Sequence, residues 1–393
     1  MPAPVPETER PAVLPAGSLL LHIGPPKTGS TAIQQAMHES RAALAEHGVL
    51  YPGTRRRARS ASFAVLGVGS AIGRPAPRME SWEALVDEVR TTDLPRACVS
   101  HENFSRADDA AADRILDGFG RDRTHVVYVA RRLDKVLPSH WQERVKSWET
   151  ASYDEFLHRL LDEPVSSWRK VWQPHDVAGV VARWAARVGP ERVIVVVSEE
   201  HDRGLVPHTF EALLGLPDGL LAPRGSGSNT SLSWTETEVV RSLNQLARDE
   251  QWTPREYWRI VQEGVVEGLR RRQDERDPRI GGLPGWALER VAERADRQIN
   301  AIRSAGVRVV GDPEGLRIDA SARADGIPAP VESVPLELLA ASVQGALEGA
   351  RAMHRREVSD LTEANRADGD RLSGRHLLRL LARRVARIGV RRR

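Results

Sequence analysis

Six short apolar runs, at residues 18–23, 48–51, 97–100, 126–130, 193–198 and 307–310, are separated by stretches of helical composition. Runs of four to six residues bounded by turn-forming residues have the length of strands, not helices. Strands alternating with helices predict an α/β fold with a parallel sheet flanked by helices, because parallel neighbours need a crossover and a helix supplies it compactly. Helices are expected around 31–45, 82–89, 134–148, 153–161, 177–188 and 235–247, and the helix-rich segment 235–304 is expected to cap the sheet. The α/β domain is placed at 18–318. Ahead of it, residues 1–17 are proline-rich and are expected to be a disordered leader. Behind it, 319–334 holds Gly326, Pro328, Pro330 and few large apolar residues and reads as a linker, followed by an Arg-rich helical tail at 335–393.

Composition narrows the function classes. With 40% hydrophobic and 28% charged residues the chain is expected to fold, and no run of about 18 apolar residues suggests a membrane span. The start of the chain lacks the basic and apolar regions of a secretory signal. One cysteine, Cys98, leaves no disulfide framework and no Cys-based zinc site. A cytoplasmic location is therefore expected. The net charge of +3 is carried by the end of the chain: nine arginines and no acidic residue follow Asp370, so the rest is acidic overall. That argues against a body built to wrap nucleic acid, and no specific nucleic-acid partner is expected. Leu377, Leu378, Leu381, Val385 and Ile388 share one face of the tail, as in an interfacial or partner-docking helix. Peripheral contact with the inner face of a membrane is the expectation for that segment.

Only four of the 57 basic residues are lysines, so where the chain merely needs positive charge it uses arginine. One of the four, Lys27, sits in a Gly-rich turn between the first strand and the first helix, within Gly24-Pro-Pro-Lys-Thr-Gly-Ser-Thr31. A strand, a Gly-rich turn and a helix start aim backbone N–H groups at an anion. Gly24 and Gly29 have the spacing of the two glycines of a Walker A loop, yet Ser30 stands where that loop has its lysine. A second strand–turn–helix places Arg131 and Arg132 at a strand end and Ser139 in the following helix. A guanidinium and a hydroxyl so placed can grip one phosphate from two sides.

Together these two segments resemble the sulfotransferase superfamily, mostly its bacterial and carbohydrate-type members. The first is similar to the 5′-phosphosulfate loop of that family, the second to its 3′-phosphate element. The resemblance implies a P-loop-like fold and 3′-phosphoadenosine 5′-phosphosulfate as sulfuryl donor, with no metal. It implies donor binding by Pro26, Lys27, Thr28, Gly29, Ser30, Thr31, Arg131 and Ser139, with Arg132 as the rival to Arg131. Leu133 and Pro138 depart from the family pattern. Phe210 to Pro217 is similar to the family's Phe-x-x-x-Leu-Gly-Leu helix, and the loop at 225–231 is a candidate nucleotide cover.

Sulfuryl transfer to a hydroxyl needs charge stabilisation on the leaving oxygen, assigned to Lys27, and a base near the loop. His101 and Glu102 follow the third strand, where residues point into the ligand crevice of an α/β sheet. The resemblance offers either as base, Glu102 by a Ser-Ser-Glu register and His101 by a Lys-Thr-His register. The acceptor is expected to be a small molecule or glycan. Trp141, Trp148, Trp168, Trp172 and Trp184 suit ring stacking or core packing equally. His38, His140 and His175 read as capped or exposed. A phosphotransferase of the same fold is the rival enzyme, with Glu199 or Glu200 as magnesium ligand. A non-catalytic protein acting through its tail is the rival of another class.

Overall fold

The computed structural model describes residues 11–56, 58–69, 75–162, 171–198, 201–222, 231–272, 280–320 and 327–369. The six expected strands all form: β1 (Ser18–Gly24), β2 (Val49–Leu50), β3 (Arg96–Ser100), β4 (Thr124–Ala130), β5 (Val193–Val197) and β6 (Arg308–Val310). They make one sheet in the order β2-β3-β1-β4-β5-β6, with every neighbouring pair parallel. This is the α/β class with helices on both faces.

Alternation along the strands builds two cores. Leu19, Leu21 and Ile23 of β1 point to one face with Val126, Tyr128 and Val195, under helices that contribute Ile115, Val181, Trp184 and Ile299. Leu20 points to the other face with Val127, Val129 and Ile194, packed by Ile33 and Met37 of α1 (Ser30–Glu39) and by Phe210 and Leu213. All seven residues of β1 are buried, so the first strand is the centre of the molecule's sheet and anchors whatever follows it.

The strand order also fixes where a ligand goes. From β1 the chain crosses towards β2, and from β4 it crosses the other way towards β5. Adjacent strands whose connections diverge leave a crevice at their carboxyl ends. The loops that begin at Gly24 and at Arg131 line that crevice.

Three expectations change. The helix expected over 31–45 is two helices, Ser30–Glu39 and Arg41–Glu46, divided at Ser40. Residues 11–17 of the expected disordered leader pack down: Leu14 is buried, its N–H donates to the Leu213 carbonyl at 2.9 Å, and its carbonyl accepts from Arg96 at 2.7 Å. Helix Gly285–Ser304 packs on the sheet through Ile299 and Ile302, but residues 245–272 group with 333–369 as a second compact unit.

That second unit is held by close helix approach. Helix Leu336–Gly369 lies against the π-helical segment Trp258–Val266, with Gly264 and Gly268 meeting Gly345, and Gly349 meeting the backbone of Arg259 and Ile260. A Cβ on Gly345 would stand 2.5 Å from the Gly264 carbonyl oxygen. Gly345→Val is therefore expected to cost about 2–4 kcal/mol or to separate the two helices, read by denaturant unfolding. The arginines after Asp370, Glu199, Glu200, Trp168 and residues 225–230 lie outside the described residues. Among those described, no helix is long and apolar enough to cross a membrane.

Candidate active site at the carboxyl ends of β1, β3 and β4

The loop after β1 turns on three residues with positive φ: Gly24 (93°), Lys27 (69°) and Gly29 (90°). Gly24 is required on two counts. Besides its φ, a Cβ there would lie 2.7 Å from Glu102 Cα, so the loop and the turn after β3 touch backbone to backbone. Gly24→Ala is expected to cost about 2–4 kcal/mol and to push Glu102 from the loop, which thermal unfolding with a binding assay will read.

Lys27 adopts the left-handed conformation without glycine's freedom, a strain held by its surroundings. Its carbonyl accepts a 2.9 Å hydrogen bond from Arg131 Nη1, which ties the β1 loop to the end of β4. Gly29 caps α1 with no side chain over the first turn; the Ala32 N–H turns back to the Gly29 carbonyl at 3.0 Å, and the helix dipole faces the crevice end of the loop. Thr28 Oγ1 donates to the Pro25 carbonyl at 2.8 Å, and Ser30 Oγ does so at 3.4 Å. The Thr28 hydroxyl is thus directed into the loop itself, and what it offers outward is its amide. Pro26 and Thr31 are half-buried at the edges of the same turn.

The second element settles which arginine faces the loop. Arg132 is locked to Asp134 by two 3.0 Å bonds, one from Nε and one from Nη2, whereas Arg131 reaches Lys27. Ser139 lies half-buried on α2 (Leu133–Val145), which runs on through Pro138. Four residues later on that helix, Glu143 receives Lys27 Nζ at 2.9 Å and Lys146 Nζ at 2.9 Å. Burial opposes ionisation of Glu143, but the two ammonium groups outweigh it and hold the carboxyl far below the ordinary range. Half the Glu143 side chain (49%) is nevertheless open to solvent, so its bond to Lys27 is worth about 0–1 kcal/mol and exchanges readily.

The two base candidates differ in what their atoms are doing. His101 Nδ1 accepts the Asn103 backbone N–H at 3.0 Å, capping the turn Glu102–Arg106. A neutral imidazole that accepts at Nδ1 carries its proton on Nε2 and has no lone pair left for a base. Glu102, 18% exposed by side chain, receives Gln34 Nε2 at 3.1 Å on Oε2. Gln34 also donates to Ser100 Oγ at 3.2 Å, and Ser100 Oγ pairs with His22 Nδ1 at 2.8 Å. Burial, the first cause, and His101 outweigh Glu102 and lower the His22 pKa to about 4, so His22 is neutral. Gln34, wholly buried, thereby fixes the Glu102 carboxylate beside Gly24. It shows in the sequence only as a polar residue among Ile33, Ala36 and Met37, on a helix face that packs on the sheet.

His140 and His175, expected to be capped or exposed, are both buried, with ring centroids 5.5 Å apart. Trp141 and Trp184 are core residues, while Trp148 and Trp172 are half-buried. Among the described residues no cluster of three or more His, Cys, Asp or Glu could hold a metal.

No family model matches the chain, and no curated protein matches its sequence. Among solved structures it is similar to a sulfotransferase from Alicyclobacillus acidocaldarius. The two share 16% identity and a TM-score of 0.35, over 60% of this chain and 95% of that one.

Proposed function

We propose that the chain is a sulfotransferase that moves a sulfuryl group from 3′-phosphoadenosine 5′-phosphosulfate to a hydroxyl or amine of a small molecule or glycan. The observation that carries this reading is the meeting of Lys27, Arg131 and Glu102. Arg131 binds the Lys27 carbonyl, and Glu102 lies against Gly24 of the same loop. A cation, a guanidinium and a carboxylate thus converge on amides that favour an anion.

The donor's 5′-phosphosulfate suits the N–H groups of residues 27–31 at the start of α1, and its 3′-phosphate suits Arg131 with Ser139. Lys27 exchanges its solvent-exposed partner Glu143 for the oxygen that bridges phosphorus and sulfur. Glu102 takes the proton of the acceptor hydroxyl. The acceptor oxygen bonds to sulfur as the bridging S–O bond breaks, and the electron pair leaves on the phosphate oxygen next to Lys27. The transferred unit is neutral SO3, so charge accumulates on that leaving oxygen, and stabilising it is the main task.

Glu102→Gln is expected to lower kcat by about 10²–10⁴ because it removes the base while keeping the Gln34 contact in reach. Gln34→Leu leaves the carboxylate but removes a hydrogen bond that orients it, and is expected to lower kcat on the order of 10–100-fold with little change in donor KM. His101→Gln should leave catalysis within a few-fold of the parent. Transfer of labelled sulfate from the donor to a panel of hydroxyl acceptors measures all three. Full activity in Glu102→Gln contradicts the assignment of the base.

A further inference from the structure

The mechanism above makes no use of His140 and His175, yet both rings carry buried, unsatisfied nitrogens, and His140 is the one ring among the described residues with both of its nitrogens so placed. His140 Nδ1, His140 Nε2 and His175 Nε2 are shut off from solvent and have no hydrogen-bond partner among the described residues. Native interiors leave few such atoms, and a group of three marks a place where something else supplies the bonds. The pair is built from two elements that meet at the site. His140 follows Ser139 on α2, one turn before Glu143, the carboxylate that holds Lys27. His175 ends the turn Gln173–His175, which is fastened to the Glu102–Arg106 turn by Gln173 Nε2 donating to the Arg106 carbonyl at 3.3 Å. Its own carbonyl accepts from Gln298 at 2.7 Å.

The charges around the pair select the ligand. After burial itself, the groups that bear on His140 are His175, Arg106, Lys27 and Arg144, every one a cation or an imidazole. Arg106 bears on His175. The nearby carboxylates are already engaged: Glu143 with Lys27 and Lys146, Glu149 with Arg144, and Glu102 with Gln34. A cationic ligand is repelled here, and an apolar one leaves the nitrogens unpaired.

We propose that His140 and His175, with Arg106 behind them, form a subsite for an oxyanion group beside the loop of Lys27. Each imidazole already donates from one nitrogen and gains a second donor when protonated, and an anion bound against the pair favours that protonation. Binding therefore takes up protons, and affinity rises as pH falls. Whether the oxyanion belongs to the sulfuryl donor or to a carboxylate or sulfate on the acceptor depends on the proposed reaction; the subsite itself does not.

The test uses inorganic sulfate and the full-length protein. Calorimetric titration in two buffers of different ionisation enthalpy at pH 6.5 should show uptake of about one proton per sulfate bound. Affinity should rise about 5- to 30-fold between pH 7.5 and pH 6.0. His140→Gln and His175→Gln should each abolish that dependence, while Lys27→Ala should weaken binding and keep it. Proton uptake near zero in the unmodified protein overturns the proposal even if neither histidine variant folds. Retained pH dependence in both variants overturns it too. Repeating the titration with adenosine 3′,5′-bisphosphate bound separates the sources. Sulfate that still binds with proton uptake takes a place beyond the donor's phosphates, and proton uptake by the bisphosphate alone assigns the subsite to the donor. PH-linked sulfate binding in a protein that ignores the bisphosphate would remove the sulfotransferase reading and keep the subsite.

Discussion

Between pH 7 and pH 5 the protein is expected to lose at least about 4 kcal/mol of folding stability, an unusually steep fall for a range in which most carboxylates stay ionised. The cause is three imidazoles buried in neutral form. Burial lowers His22 to about 4 and His175 to about 3, and burial with the neighbouring cations holds His140 well below its ordinary value. In the unfolded chain the same groups titrate near 6.5. Below that pH the unfolded state binds protons that the folded state refuses, so stability present above 6.5 is lost as pH falls towards the folded values. His22 and His175 each contribute about 2 kcal/mol by pH 5 and His140 adds to the loss, out of a total that for a typical domain is only about 5–15 kcal/mol. Denaturant unfolding at half-unit steps reads the slope, and sulfate should flatten it if the oxyanion subsite exists. A stability that stays level from pH 7 to 5 would mean that these rings are solvated or protonated in the folded state.

Lys27 carries the other large effect. Lys27→Ala is expected to lower sulfuryl transfer by about 10²–10³, the usual loss when one preorganised charge is withdrawn from the leaving oxygen. Lys27→Gly should lose activity equally yet remain within about 1 kcal/mol of the parent in stability, because glycine relieves the left-handed backbone that lysine bears at φ 69°. The pair of variants separates chemistry from folding. An inactive Lys27→Ala with an active Lys27→Gly would point to the backbone rather than the amine. Arginine at this position restores charge but not the compact ammonium, and little recovery is expected from it.

What could be read from the sequence was local. The strand–turn–helix after Ser18 and the one after Thr124 are contiguous patterns whose spacing aims Lys27 and Arg131 at one crevice, and the sheet class follows from six short apolar runs. The sequence left Arg131 and Arg132 as rivals; in the structure Asp134 ties Arg132 down two residues away while Arg131 reaches the β1 loop. Gln34 and Glu143 escaped notice because their partners, Glu102 and Lys27, are 68 and 116 residues distant. His140 and His175 were misjudged for a related reason. Helix α2 is buried almost all round, from Leu133 through Val136, Leu137, Trp141 and Val145, so it has no polar face against which a buried histidine stands out. Residues 11–17 of the expected leader pack down because Leu14 meets the distant Leu213, which no local pattern announces.

Thermal unfolding with adenosine 3′,5′-bisphosphate, set beside magnesium-ATP and no ligand, addresses the proposed donor site with the fewest assumptions. At 100 times its dissociation constant the bisphosphate should stabilise the fold by about 2.7 kcal/mol, visible as a raised Tm, and the rise should vanish in Arg131→Ala. A Tm raised by magnesium-ATP and untouched by the bisphosphate would contradict the account and make the chain a phosphotransferase.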